Sequence, residues 1–242
     1  MRGVKDRASR IRMFQSFCDK RAVRAHYLSK SYPESAEALL FYAELASFQS
    51  NTIHTWESLI SIVLSCGPKD LRQAARNFDQ QTCDKAISNY RSGSDRKSVQ
   101  SFFARVLLQP EVATQPEDSL SAEPGVCPRC GHLPQVGCMV VQGEGSALEL
   151  FCSLCFHRWR SVRGYCSVCK AKRDRKLAYF KASEFEHTQI QVCEICRHYL
   201  HILYSEKLSG AVPDVDEIAG LSLDVWAHKK GYRKVMPNLI GI

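Results

Sequence analysis

The stretch "FCSLCFHRWRSVRGYCSVC", residues 151–169, holds two Cys-x-x-Cys pairs, Cys152/Cys155 and Cys166/Cys169, ten residues apart. A two-residue gap suits a tight knuckle that aims both sulfurs at one ion. Two knuckles supply the four thiolates of a closed tetrahedral site. Read alone, the stretch is one compact four-cysteine site. Working outward adds Cys127/Cys130 before it and Cys193/Cys196 after it. Eight paired cysteines then make two complete sites with none left over.

Spacing favours a sequential pairing. Pairs one and two are 21 residues apart and pairs three and four are 23 apart, each gap strand-rich. This is near the zinc-ribbon spacing in which about 15–20 residues separate two knuckles. The ten residues between the middle pairs leave room for one strand but no hairpin. Site one is therefore expected from Cys127, Cys130, Cys152 and Cys155, and site two from Cys166, Cys169, Cys193 and Cys196. Interleaved pairing stays open. Four thiolates suit zinc or a single iron of rubredoxin type, and spacing does not separate them. His132, His157, His198 and His201 lie near knuckles that already have four sulfurs, so they read as surface residues or as outer-shell partners of the ligands. Cys138 falls on an expected strand. Cys18, Cys66 and Cys83 fall on helical segments and read as buried thiols.

The rest of the chain places these sites. It has 242 residues and 12 cysteines, with 45% apolar and 24% charged residues and a net charge of +8. Disulfides are one use of so many cysteines, but paired Cys-x-x-Cys spacing in a reducing compartment points to metal or thiol chemistry. No apolar run reaches the roughly 18 residues of a membrane span. The basic N-terminus lacks the apolar core of a secretory signal, so a cytoplasmic protein is expected.

Residues 1–108 read as a helical domain. Ala36, Leu39, Leu40 and Ala43 recur at helical spacing. Ile53, Trp56, Leu59, Ile60, Val63 and Leu64 form another stripe. Val99, Phe102, Phe103, Val106 and Leu107 follow Ser98, a candidate cap. Residues 109–126, with three prolines and four acids, read as a linker. Short β-type runs follow, "QVGCMVVQ", "ALELF", "HRWRSVRG", "KLAYFKA" and "QIQVC", with a hairpin turn at "GEGS". They assign 127–163 to a first ribbon and 164–204 to a second. From about 197 the run "RHYLHILYSEK" reads as helical. Residues 205–242 read as a helical C-terminal segment, with Ile218, Leu221, Leu223, Val225 and Trp226 as its stripe. The expected class is α+β: a helical bundle, two tandem rubredoxin- or zinc-ribbon-like modules, and a helical end.

Three functions fit these residues. Eight Lys or Arg against one Asp over 158–176, with Trp159 and Tyr165 among them, suit a nucleic-acid-binding ribbon. Four Cys-x-x-Cys motifs also admit a thiol-redox protein. The third reading is an assembly factor that docks a protein partner. No catalytic residues are identified.

Resemblance separates the three. "YPESAEALLFYAELASFQ", "CPRCGHLP", "LFCSLCFHRWRSVRGYCSVC", "CEICRHYLHILY" and "DEIAGLSLDVWAHKKGYRKVMPNLIGI", in that order, resemble the FdhE family of formate dehydrogenase accessory proteins. Leu221, Asp224, Gly231 and Asn238 fall at expected family positions. The N-terminal helical part looks shorter than in longer members. The resemblance implies a cytoplasmic, non-enzymatic maturation factor that binds the molybdopterin-containing catalytic subunit of formate dehydrogenase. It also implies two metal ions per chain on the eight paired cysteines, with iron favoured and zinc acceptable. Arg158, Trp159, Arg160 and Arg163 are the expected partner-binding surface. Nucleic acid and membrane insertion are not expected, and homodimerisation stays open.

Overall fold

Short polar side chains mark most helix starts in the first half of the chain. Asp6 accepts the Ser9 N–H at 2.6 Å and opens α1 (Arg7–Ser31). A 3-10 turn at Pro33–Ser35 leads into α2 (Ala36–Ser50). Thr55 caps α3 (Trp56–Cys66), and α4 (Lys69–Ala75) follows. Asp79 caps α5 (Gln80–Ser92), which ends at Gly93 with φ +78°, the left-handed conformation that suits glycine. Ser98 caps α6 (Val99–Thr114), as the sequence leads one to expect. The computed structural model describes residues 6–116, 124–172 and 176–241.

The helical core buries Leu39, Tyr42, Leu45, Leu59, Val63, Phe102, Phe103 and Val106. Ile53 departs from its expected stripe: it is 76% exposed, because the Thr55 cap starts α3 after it. Leu64 and Cys66 also face outward, so Cys66 is not a buried thiol, whereas Cys18 and Cys83 are.

The expected linker begins too early. Helix α6 continues through Pro110 to Thr114. Proline lacks the N–H that would bond the carbonyl four residues back, here that of Val106. Gln49 of α2 supplies the missing donor: its Nε2 reaches Val106 O at 2.8 Å. The same amide group donates to Gln109 Oε1 and accepts from the buried Arg21 at 2.7 Å. A tertiary contact thus repairs what the sequence marks as a break. Most of the remaining linker, 117–123, lies outside the described residues.

Among the described residues the second half forms one seven-stranded sheet. Its strands are β1 (Pro134–Gln142), β2 (Gly145–Cys152), β3 (Arg158–Ser161), β4 (Leu177–Phe180), β5 (Thr188–Cys193), β6 (His198–Tyr204) and β7 (Arg233–Lys234). The order is β3-β2-β1-β6-β5-β4, with β7 beside β6. Each ribbon is knuckle, hairpin, knuckle, strand. The first hairpin turns at Gly143–Glu144, and Gln142 pairs with Gly145. The ribbons are not separate beads. Parallel pairing of β1 with β6, Val136 opposite His201 and Cys138 opposite Leu203, fuses them edge to edge. Met139, Leu148, Leu150, Leu200, Ile202, Val235 and Met236 form the core there.

Strand β6 corrects the helical reading of "RHYLHILY". Tyr199 to Leu203 are all buried, and β1, β5 and β7 hydrogen-bond the strand from both sides. A strand buried on both faces reads as a continuous apolar run, which periodicity cannot tell from helix. The helices of the C-terminal segment are α7 (Pro213–Ala219) and α8 (Leu221–Lys229). Ile218 and Leu223 are buried, but Val225 is 45% exposed.

The chain divides into two units. One runs to Glu117 and takes in Leu239–Gly241; the other runs from Asp118 to Asn238. Among the described residues no helix is long and apolar enough to cross a membrane.

Candidate metal centres

The four knuckles share a left-handed turn residue, and each of two backbone bonds recurs in three of them. The cysteine that opens a knuckle donates its N–H five residues on: Cys127 to His132 O, Cys152 to His157 O and Cys166 to Ala171 O, at 2.8–2.9 Å. The residue after the second cysteine bonds back to the first: Gly131 N to Cys127 O, Lys170 N to Cys166 O and Arg197 N to Cys193 O, at 2.9–3.0 Å. That residue is left-handed in every knuckle: Gly131 φ +70°, Phe156 +60°, Lys170 +63° and Arg197 +56°. Only the first knuckle uses glycine, the residue without a steric penalty there.

The knuckles converge in sequential pairs. Cys127, Cys130, Cys152 and Cys155 form one group, and Cys166, Cys169, Cys193 and Cys196 another; in each, all Sγ atoms lie within 4.8 Å of one another. Sulfurs of opposing knuckles meet at 3.5 Å (Cys127–Cys155), 3.3 Å (Cys130–Cys152), 3.6 Å (Cys166–Cys196) and 3.5 Å (Cys169–Cys193). Tetrahedral metal–sulfur bonds of about 2.3 Å set sulfurs about 3.8 Å apart, so each group fits one ion after a small expansion.

The chemistry of the thiols agrees with the geometry. Hydrogen bonds from Cys127, Cys152 and Cys155 hold the Cys130 thiol well below its usual range. Burial, then hydrogen bonds with Cys127, Cys130 and Cys155, pushes Cys152 well above it. Four adjacent sulfurs cannot all ionise without a counter-charge, and a central cation supplies one. Each group could therefore hold a metal ion.

The sites differ in exposure. At the first, Cys127, Cys152 and Cys155 are buried and Cys130 is half-buried; at the second, Cys166 and Cys193 are buried, Cys196 is half-buried and Cys169 is exposed. His132 Nδ1 lies 3.0 Å from Cys130 O and His198 Nδ1 lies 2.9 Å from Cys196 O, as expected of histidines that support the ligands. His201 does neither job expected of it.

His201 belongs to a buried charge cluster that the sequence did not reveal. Asp224 Oδ1 receives Tyr199 OH at 2.7 Å and lies 2.9 Å from His201 Nε2 and 3.0 Å from Lys234 Nζ. Lys234 also lies 3.3 Å from Glu217, which takes a hydrogen bond from Gln135. Burial would push the Asp224 carboxyl up, but His201 and Lys234 outweigh it and hold it below the carboxylate range. Lys234 is held above its usual range: burial opposes this, but Asp224 and Glu217 prevail. The cluster ties α7, α8 and β7 to strands β1 and β6. The strand pattern hides it, because every member sits where an apolar residue would pack.

Of the expected partner surface, Arg158, Trp159 and Arg160 lie on β3, at the sheet edge, and Arg163 lies in the turn that follows. Arg158, Arg160 and Arg163 are exposed, while Trp159 is half-buried and packs on the sheet core. Residues 173–175, part of the basic run, lie outside the described residues.

A helical unit followed by two fused ribbons, each closed by four thiols that could hold a metal ion, is a paired-ribbon architecture. Residues 165–240 match the family model "FdhE, C-terminal domain". A protein FdhE homolog of Aquifex aeolicus is 31% identical over 192 residues, 76% of this chain and 68% of that one. The homolog of Edwardsiella ictaluri is 35% identical over 151 residues, 60% of this chain and 48% of that one. The crystal structure of the FdhE protein from Pseudomonas aeruginosa shares the fold at TM-score 0.71 and 20% identity, covering 93% of this chain and 95% of that one. The chain belongs to the FdhE family.

Proposed function

We propose that this chain is a non-enzymatic accessory protein for formate dehydrogenase. It binds the molybdopterin-containing catalytic subunit in the cytoplasm and supports its maturation through a two-site metal module. Family membership together with two complete four-thiol groups is the observation that supports this reading. Four sulfurs fill a tetrahedral ion and leave no position for substrate, which suits a structural or electronic role rather than Lewis-acid catalysis. Iron in rubredoxin-type sites is the metal the family resemblance favours; zinc accepts the same ligands. Arg158 and Arg160 on edge strand β3, with Arg163 just beyond its end, suit an acidic client face, with Trp159 anchoring the strand behind them. The inward packing of Trp159 weakens the nucleic-acid reading, since the ring is not presented for base stacking.

A pull-down against the formate dehydrogenase catalytic subunit tests the reading, and capture by the metal-loaded chain is expected. Tight RNA binding without client binding overturns it. Metal analysis should find two ions per chain, and Cys152→Ser/Cys155→Ser should remove one of them.

A further inference from the structure

Cys193 and Cys196 bring the fourth knuckle to the second site, and Arg197 follows directly in the left-handed region. A side chain there needs outside support to stay. The support comes from the C-terminal segment. Arg197 Nη2 donates to Lys230 O at 2.6 Å, and its guanidinium lies 3.8 Å from the Tyr232 ring centroid. Its Nη1 donates to Glu194 Oε2 at 2.7 Å, and Tyr232 OH donates to the other oxygen of Glu194. The Arg233 N–H bonds Arg197 O at 2.8 Å. One residue inside the knuckle and one just after it are thus gripped from residues 230–233.

The same site has the more open sulfurs, with Cys169 exposed and Cys196 half-buried. Chelators and competing thiols reach a metal by local opening of such an edge; the ion leaves only when both knuckles have let go, so the knuckle that opens less easily limits release. We infer that Arg197, Glu194 and Tyr232, with the Lys230 carbonyl, form a positioning strap that makes metal retention at the second four-cysteine site depend on docking of the C-terminal segment. The inference rests on the two-site metal reading. Lifting residues 230–233 frees the second metal first and leaves the first site closed. By linkage, metal in the second site also holds the segment down.

The test uses the full chain loaded with Zn2+ and follows transfer to a coloured chelator. Two phases are expected, and Cys166→Ser/Cys169→Ser should abolish the faster one. Arg197→Ala should speed that phase by about tenfold or more, the scale seen when outer-shell partners of a metal are removed. Its slow phase should not change. Tyr232→Phe keeps the ring and loses the bond to Glu194, so it should give a smaller acceleration of the same phase. An unchanged fast phase in both variants overturns the inference. Equal acceleration of both phases does so too, since it marks general loosening. A chain holding two ions with unselective release refutes the strap alone. A chain that binds no metal removes the metal reading and the strap with it.

Discussion

Replacing Asp224 by asparagine should cost about 3 kcal/mol of stability. The carboxylate is buried and its Oδ1 faces three donors, Tyr199, His201 and Lys234, at 2.7–3.0 Å. Removing one member of a buried ion pair costs about 3–5 kcal/mol, mostly by leaving the other charge uncompensated. Two features pull the figure to the lower end. The asparagine oxygen still accepts from Tyr199, and Glu217 remains 3.3 Å from Lys234. Urea unfolding followed by far-UV circular dichroism measures the loss. With a slope of about 1–3 kcal/mol per molar urea, the midpoint falls by about 1 M or more. Adding Lys234→Met should recover part of the loss, because it removes a buried cation that has lost the nearer of its two carboxylates. A variant within about 0.5 kcal/mol of the parent, or strict additivity in the double variant, refutes the charged cluster as drawn. The pH dependence gives a second check. Asp224 is held low in the fold, so its contribution is full above its unfolded value of about 3.9 and lost as pH falls through the folded value. Lys234 is held high, so its contribution is full below about 10.4 and lost as pH rises through the folded value. Glu217, pushed up by burial, has the opposite sign to Asp224 and gains stability on acidification. Asp224→Asn should therefore flatten the acid limb and also weaken the alkaline limb, since Asp224 is the first of the two carboxylates that hold Lys234 high.

Two further outcomes follow from single contacts. Gln49→Leu strands the Val106 carbonyl and a donor of Arg21, and should cost about 1–3 kcal/mol; Pro110→Ala in that background restores an intrahelical donor and should return part of it, read by thermal unfolding. Iodoacetamide at pH 8 should label exposed Cys66 well before Cys138, which is buried and pushed up to about 12 by desolvation; equal labelling by mass spectrometry refutes the burial of Cys138 on β1.

Local chemistry was legible without a structure. The knuckles are built from bonds spanning four or five residues, so eight paired cysteines and their spacings were enough to point to two sites and to favour one pairing. Caps such as Ser98, and the hairpin at Gly143–Glu144, are equally local. What the residues hid depends on neighbours distant in the chain. Pro110 marks a break that Gln49 repairs from another helix. Strand β6 lost its alternation because it is covered on both faces. His201 looked like a metal-side histidine until the fold set Asp224, Glu217 and Lys234 around it, 16 to 33 positions further on. The chain's own letters determined which sulfurs exist and how each knuckle bends. The tertiary structure alone decided that the ribbons share one sheet, that the second site is the more open, and that the C-terminal segment grips its last knuckle. Bond rings of a few residues are written in the sequence; burial and charge pairing arise only when distant segments exclude water together.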